Sequence, residues 1–437
     1  MSSEPRKINS QFTPVDFQKP LPISKIISKD TPSEEKVEFD VVFIGAGPAS
    51  LSGAIKLAQL VRSENDNSGG KLGEVSIGVL EKSAEIGNHI LSGAVIKLQP
   101  FLELFPDLTA GQLPFRAPVK SERVYFLTSG KAIRIPVPPP MRNQGNYIAS
   151  LSEVTRWMAE KAEGLGVQIF TGFPAESLLV RDNSVMGINT AETGLERDGS
   201  KSHNYQPATE VTGKVVVLGE GTRGSLTQAY LEWQNVGSEN PQIYALGIKE
   251  IWQTAVPLDS IVHTLGWPLP RNVFGGSFMY PLESNLIALG LVVGLDYENA
   301  NLDCHFLFQQ MKTHPFFRKY LENGEMVEWG AKTIPEGGYY SIPSRLTGDG
   351  VVIIGDSAGF VDVPSLKGIH YAVKSGMLAA AAVFDALKRK DYSRSVLSQY
   401  DKAIKESFIT KDLWNRRNMR LVFKQGFYAG SFKAGLM

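Results

Sequence analysis

One short stretch constrains the fold most. Residues 39–59 read F-D-V-V-F-I-G-A-G-P-A-S-L-S-G-A-I-K-L-A-Q. An apolar, β-branched run stops at Gly45, after which Leu51, Ala54, Ile55 and Ala58 recur at helical spacing. The order is strand, tight turn, helix. Residues 74–81 (E-V-S-I-G-V-L-E) predict the next strand, with residues 65–71 as a polar loop before it. In such a βαβ unit Gly45 permits the sharp turn and Gly47 lets backbone approach a pyrophosphate. The helix starting near Pro48 aims free N–H groups and its positive dipole end at that phosphate. The third position of this turn wants a small residue for close helix–strand packing, and Ser50 is small enough. Glu81, at the end of the second strand, is placed to accept hydrogen bonds from adenosine ribose hydroxyls. A structural glycine turn with a surface glutamate is the competing reading. The strand before, the helix after and the acid at the second strand's end favour a dinucleotide.

Two later stretches select among dinucleotides. Residues 351–359 read V-V-I-I-G-D-S-A-G, a strand running into Gly355 and Asp356. An aspartate there can accept hydrogen bonds from a polyol, and FAD carries a ribityl chain where NAD does not. Residues 215–224 (V-V-V-L-G-E-G-T-R-G) form a buried strand entering a Gly-rich turn at Gly221. Taken in this order, the three stretches resemble the FAD domain of the flavoproteins that include glutathione reductase and p-hydroxybenzoate hydroxylase. The expected fold is therefore α/β, an FAD-binding Rossmann-like domain with an inserted mixed-sheet domain for the substrate. Gly368 and Ile369 open a long helix expected over residues 371–387. Its dipole would favour negative charge near N1 and O2 of a flavin.

Length and composition narrow the rest. A chain of 437 residues suggests about two to three domains. The expected division is a polar extension at 1–38; an FAD-binding domain from 39–99, 147–235 and 330–400; an inserted substrate domain from 100–146 and 236–329; and a helical, aromatic tail at 401–437. A net charge of +0 gives no basic field for nucleic acid. Cys304 is the single cysteine, so neither an intrachain disulfide nor a cysteine-ligated cluster can be assembled from these residues. The first 38 residues lack a signal-peptide run, and no stretch is apolar and long enough to span a bilayer.

Further motifs carry a closer resemblance. N-Q-G-N-Y-I (143–148), H-T-L-G-W-P-L (263–269), F-G-G-S-F-M-Y (274–280), G-A-K-T-I-P-E-G-G-Y-Y-S-I-P (330–343) and A-G-F-V-D-V-P-S-L-K-G-I-H (358–370) resemble the electron transfer flavoprotein–ubiquinone oxidoreductases. FixC-type oxidoreductases and geranylgeranyl reductases are more distant. The resemblance implies a monotopic membrane enzyme that takes electrons from reduced electron transfer flavoprotein and delivers them to ubiquinone. It implies that Gly275 and Gly276 line the quinone pocket; the alternative is a glycine bulge in a strand. Residues 99–111 match the family's interfacial segment, with Phe101, Leu102, Leu104, Phe105 and Leu108 either entering the headgroup boundary or forming a buried helix. Residues 421–437 mix aromatic and basic side chains suited to a membrane surface or a partner.

Three features depart from the family. Its members carry a 4Fe–4S cluster on four cysteines, which these residues do not supply, so a separate ferredoxin-like subunit is one expectation. Asp356 stands where the quinone oxidoreductases have a cysteine. Ile369 stands where the family's K-G-T-H has threonine. The rival readings are a FixC-like flavin subunit of a larger electron-transfer complex and a reductase or monooxygenase acting on an isoprenoid lipid. His89, His263 and His370 are candidate proton carriers or structural histidines. The absence of a clear transit peptide favours a bacterial cytoplasmic membrane face, with the mitochondrial inner membrane as the alternative.

Overall fold

A computed structural model describes residues 21–30, 36–91, 95–283 and 285–419. Two large sheets organise them. The nine-stranded sheet has a parallel middle in the order Val351–Ile353, Glu210–Leu218, Val37–Ile44, Ile77–Glu81, Gln168–Thr171. These strands are nearly continuous apolar runs because both faces are covered; Val42, Phe43, Val216 and Val352 have no exposed surface. Helices Pro48–Ser68 and Ile369–Arg389 pack against each other, so closely that a Cβ on Gly376 would stand 2.1 Å from the Ala49 carbonyl oxygen.

Several boundaries differ from the sequence reading for identifiable reasons. The first long helix runs on into the expected polar loop. It ends only where Gly69 adopts φ 68° and donates its N–H to Asn65 O. Ile27–Ser28 joins the large sheet, parallel to Ala175–Arg181, because Ile26 and Ile27 are buried there. Part of the expected N-terminal extension is thus structural. Lys201–Gln206 is a strand paired with Thr193–Leu195.

The seven-stranded sheet has the order Glu325–Pro335, Tyr244–Gln253, Leu286–Gly294, Gly275–Glu283, Ile261–Gly266, Glu122–Leu127, Ala132–Ile135. The first of these strands carries the sheet past the boundary expected at residue 330. One face of this sheet buries Met279, Leu289, Leu291 and Val293 against helices Cys304–Thr313 and Pro315–Leu321. The opposite face presents Tyr280, Leu282 and Ala288, which pack with Val95 and Ile148 of a small three-stranded sheet.

Residues 99–111 send part of their apolar side chains into the core. Phe101 and Leu104 in helix Gln99–Leu104 are fully buried. Phe101 meets Phe115 edge-on at 5.2 Å, and Phe105 meets Trp157 at 4.8 Å. The packing of Phe101, Leu104 and Phe105 favours the buried-helix alternative for these three side chains, while Leu102 and Leu108 stay partly exposed. Residues 421–437 lie outside the described residues.

Candidate functional site

The parallel strands end on one edge, and that edge gathers candidates from distant parts of the chain. Gly45 has φ +88°, and a Cβ there would lie 2.7 Å from Gly219 O. Only glycine fits this turn. Ser50 packs its Oγ against Gly219, 2.1 Å from where a Cβ would stand; this hydroxyl is buried and has no hydrogen-bond partner among the described residues. Glu81 braces the turn, accepting from Ala46 N and Ser83 N, both at 2.9 Å. Gly355 meets Ala49 at the start of the first helix, and Asp356 Oδ1 is 3.6 Å from a Cβ built on Gly368. Ser357 Oγ donates to Gly221 O at 3.1 Å. These contacts draw Gly45, Ser50, Glu81, Gly221, Gly355, Asp356 and Gly368 together at the strand ends, with Gly47 and Ile369 adjoining them in sequence, around a cleft beside Asp356.

The cleft has the properties an extended diphosphate ligand needs. Gly47 is the N-cap of the 21-residue helix, with no side-chain cap. Nothing lies within 4 Å of a Cβ built on Gly47 or Gly221. These are openings that any other side chain would fill, beside the free N–H groups of a helix start. Burial pushes the Asp356 carboxyl up to about 6 against weaker opposing effects of Thr222 and Lys332. A polyol donating to this carboxylate would replace its lost hydration. Past Asp356 the cleft opens into a cavity of about 290 Å³ bordered by Arg223, Gln228, Gln242, Tyr244 and Gly359. The arrangement fits a dinucleotide with a ribityl chain.

Sequence reasoning missed the residues that brace this cleft. Glu220 is shielded from solvent, which raises its pKa, and accepts from Leu226 N (3.2 Å), Thr227 N (2.7 Å) and Thr227 Oγ1 (2.6 Å). It thereby caps helix Ser225–Trp233. An acid beside a glycine turn and before a helix was the available signal. Lys332 reaches toward the cleft from the second sheet: burial lowers its pKa, Lys82 lowers it further, and Asp356 and Glu81 oppose this.

Gly275 and Gly276 stand on the second sheet, not on the strand ends. A Cβ on Gly275 would lie 2.1 Å from Val292 O, and one on Gly276 would lie 2.6 Å from Thr264 O. Close strands alone therefore require both glycines. Side-chain alternation puts Gly276, Phe278 and Tyr280 on the face opposite helices Cys304–Thr313 and Pro315–Leu321. Strand register adds His263, paired with Phe278. His263 Nε2 is 2.7 Å from Tyr280 Oη, and both side chains are buried. Burial, with a smaller contribution from Lys367, depresses the imidazole to about 3. Lys367, in the loop leading to Gly368, is itself lowered to about 8 by burial.

The remaining candidates separate. His89 is exposed. His370 is buried, held well below its usual pKa by burial, and lies 3.9 Å from Tyr371 and 6.0 Å from Phe408, centroid to centroid. Cys304 is buried, and burial pushes its thiol up. Among the described residues no group of three or more His, Cys, Asp or Glu could hold a metal ion, so an iron–sulfur cluster does not fit here. No helix among them is long and apolar enough to cross a membrane.

Comparisons with known proteins agree with this geometry. A family described as "ETF-QO, ubiquinone-binding" matches residues 244–334, the part that carries Gly275 and Gly276. The chain is 42% identical over 403 residues to the mitochondrial electron transfer flavoprotein–ubiquinone oxidoreductase of Oryza sativa subsp. japonica, covering 91% of this chain and 68% of that protein. It is 40% identical over 397 residues to the human protein of that name, covering 88% and 63%. The chain thus spans about two thirds of the length of these relatives. Among solved structures, a geranylgeranyl bacteriochlorophyll reductase-like protein from Thermoplasma acidophilum superposes with TM-score 0.70 at 19% identity, covering 92% and 91%. A flavin-dependent brominase gives 0.62 at 18%, covering 92% and 89%. These two likenesses are of fold, and they match the α/β flavoenzyme architecture expected from the glycine turns. By its sequence relatives, the chain belongs to the electron transfer flavoprotein–ubiquinone oxidoreductase family.

Proposed function

We propose that the chain binds FAD in the strand-end cleft and passes electrons from reduced electron transfer flavoprotein to ubiquinone. The observation that supports this reading is that contacts join Gly45, Ser50, Glu81, Gly221, Gly355, Asp356 and Gly368 at the ends of the parallel strands, with Lys332, from the second sheet that bears Gly275 and Gly276, interacting with Asp356. In this reading Gly45, Gly47 and Ser50 admit the pyrophosphate to the helix start, and Glu81 receives the adenosine ribose. Gly221, Gly355 and Asp356 take the ribityl chain. Gly368 and Ile369 bring the dipole of helix Ile369–Arg389 to the pyrimidine edge of the ring. Bound FAD supplies the electron-carrying chemistry. The quinone ring lies beside Gly275 and Gly276, on the face where Gly276 contributes no side chain, and takes up two electrons and two protons to become the quinol. The ring approaches from the face bearing Phe278 and Tyr280.

The relatives bearing this activity in their names are mitochondrial proteins, which supports the inner mitochondrial membrane over the bacterial face that the sequence suggested. We place the chain at that membrane's surface, with a ferredoxin-like partner as the source of iron–sulfur ligands. Relatives at 40–42% identity favour this reading over an isoprenoid reductase, whose likeness here is of fold alone. The test is anaerobic mixing of FAD-loaded protein with reduced electron transfer flavoprotein and ubiquinone-1. Quinol formation dependent on both reactants is expected. Quinol formation equally fast without the chain would overturn the reading.

A further inference from the structure

We propose that His263 donates a hydrogen bond from Nδ1 to a ring carbonyl oxygen of the quinone and so fixes its orientation at Gly276. The inference rests on the quinone reading above and names the residue that recognises the ring's polar edge.

Proton bookkeeping at two buried groups leads there. Tyr280 Oη and His263 Nε2 are 2.7 Å apart. Both side chains are at most 5% exposed. A neutral imidazole carries one proton, and a phenol carries one. If Nε2–H donated to Tyr280, the phenolic proton would need another acceptor, and no second partner of Tyr280 is found among the described residues. If instead the phenol donates to Nε2, both of those atoms are satisfied. The imidazole proton then sits on Nδ1. That atom is buried and has no partner among the described residues. Buried donors in native structures normally have an acceptor, so this one points to a ligand.

The location identifies the ligand's chemistry. His263 pairs with Phe278 across the strands, and Gly276 lies two residues from Phe278 on the same face. The separation along the strand is about 7 Å, within reach of one ring and its oxygens. Ile261 and Leu265, on either side of His263 along that face, are apolar. Along this strand the wall offers a directed donor between apolar neighbours, which suits a ring bearing carbonyl acceptors. Burial and the nearby Lys367 disfavour a charged imidazole, so His263 itself presents a dipole and not a cation.

The test uses the full FAD-loaded chain and ubiquinone-1 labelled with ¹³C at one ring carbonyl or the other. Binding is measured at equilibrium without electron donor, and the carbonyl stretch of the bound quinone by infrared difference spectroscopy. In the unmodified protein one of the two carbonyls should be downshifted relative to free quinone. His263→Phe should abolish that downshift and weaken binding by about tenfold, the effect of one buried hydrogen bond. His263→Gln, which retains a donor, should restore part of both. A downshift that survives in His263→Phe, with unchanged affinity, would overturn the assignment and leave the quinone reading intact. Bound ubiquinone-1 with neither carbonyl shifted in the unmodified protein would also overturn it. Failure of the unmodified protein to bind ubiquinone-1 would overturn the quinone reading and this inference together. Tyr280→Phe gives a second check if His263→Phe does not fold. Freed from the phenol, the imidazole can take either tautomer, so the downshifted band should broaden or split; an unchanged sharp band would count against the pairing.

Discussion

Replacing Asp356 with asparagine should stabilise the ligand-free protein and weaken its hold on FAD. Burial raises this carboxyl from 3.8 to about 6. The folded state therefore binds the proton more tightly than the unfolded chain between those values. Stability falls as pH rises through that window and stays lowered above it. Two units correspond to roughly 3 kcal/mol, at about 1.36 kcal/mol per unit. Asp356→Asn removes the cost of the buried charge, so at pH 7.5 the apoprotein should gain up to about 3 kcal/mol, against a much smaller gain near pH 4.5. Urea unfolding of FAD-free protein at the two pH values measures this. FAD titration followed by quenching of flavin fluorescence should show weaker binding by the variant, because an amide accepts from a polyol less strongly than a carboxylate. A variant apoprotein less stable at pH 7.5, or a gain equal at both pH values, would refute the argument. The aspartate would then be held by groups that the burial argument overlooks.

Other expectations follow from the same reasoning. Ser50→Ala deletes an unpartnered buried hydroxyl, so apoprotein stability should stay level or rise by about 1 kcal/mol; a clear loss in urea unfolding would mean that the hydroxyl has a partner. Arg416 pairs with Asp362, which is fully buried and also accepts from Ser365 N. Arg416→Ala should therefore cost about 3–5 kcal/mol, and adding Asp362→Asn should recover much of it in a double-mutant cycle. Lys367, lowered to about 8 by burial, contributes a cost that is present below pH 8 and disappears as pH rises toward 10.5. Lys367→Met should accordingly stabilise the apoprotein more at pH 7 than at pH 10, read from urea midpoints.

What could be read from the sequence was mostly local. The turn at Gly45 and Gly47 carries its own signal, since backbone geometry, helix start and following strand lie within some forty residues. Glu81 and Asp356 were legible because an acid at the end of an apolar strand is rare without a purpose. Relations across the sheets were not legible. Nothing in the order of residues says that Ile27 pairs beside Leu178, or that Gly368 comes to lie against Asp356. His263 and Tyr280 are separated by 16 residues in the chain, and only the strand register brings them into contact. The cluster at 99–111 illustrates a different limit. An apolar helix face has the same periodicity whether it meets lipid or core, and only the facing Phe115 and Trp157 decide the case. The requirement for glycine at 275 and 276 was visible, but its immediate cause is the neighbouring strands.

The most direct test of the central claim is one turnover of the last step. FAD-loaded chain is reduced with dithionite under anaerobic conditions, then mixed with ubiquinone-1 in a stopped-flow instrument while the flavin absorbance bands are followed. Rapid return of the oxidised bands, with matching quinol formation and no added iron–sulfur protein, is the predicted result. Protein that binds FAD yet stays reduced in the presence of ubiquinone-1 would contradict the account.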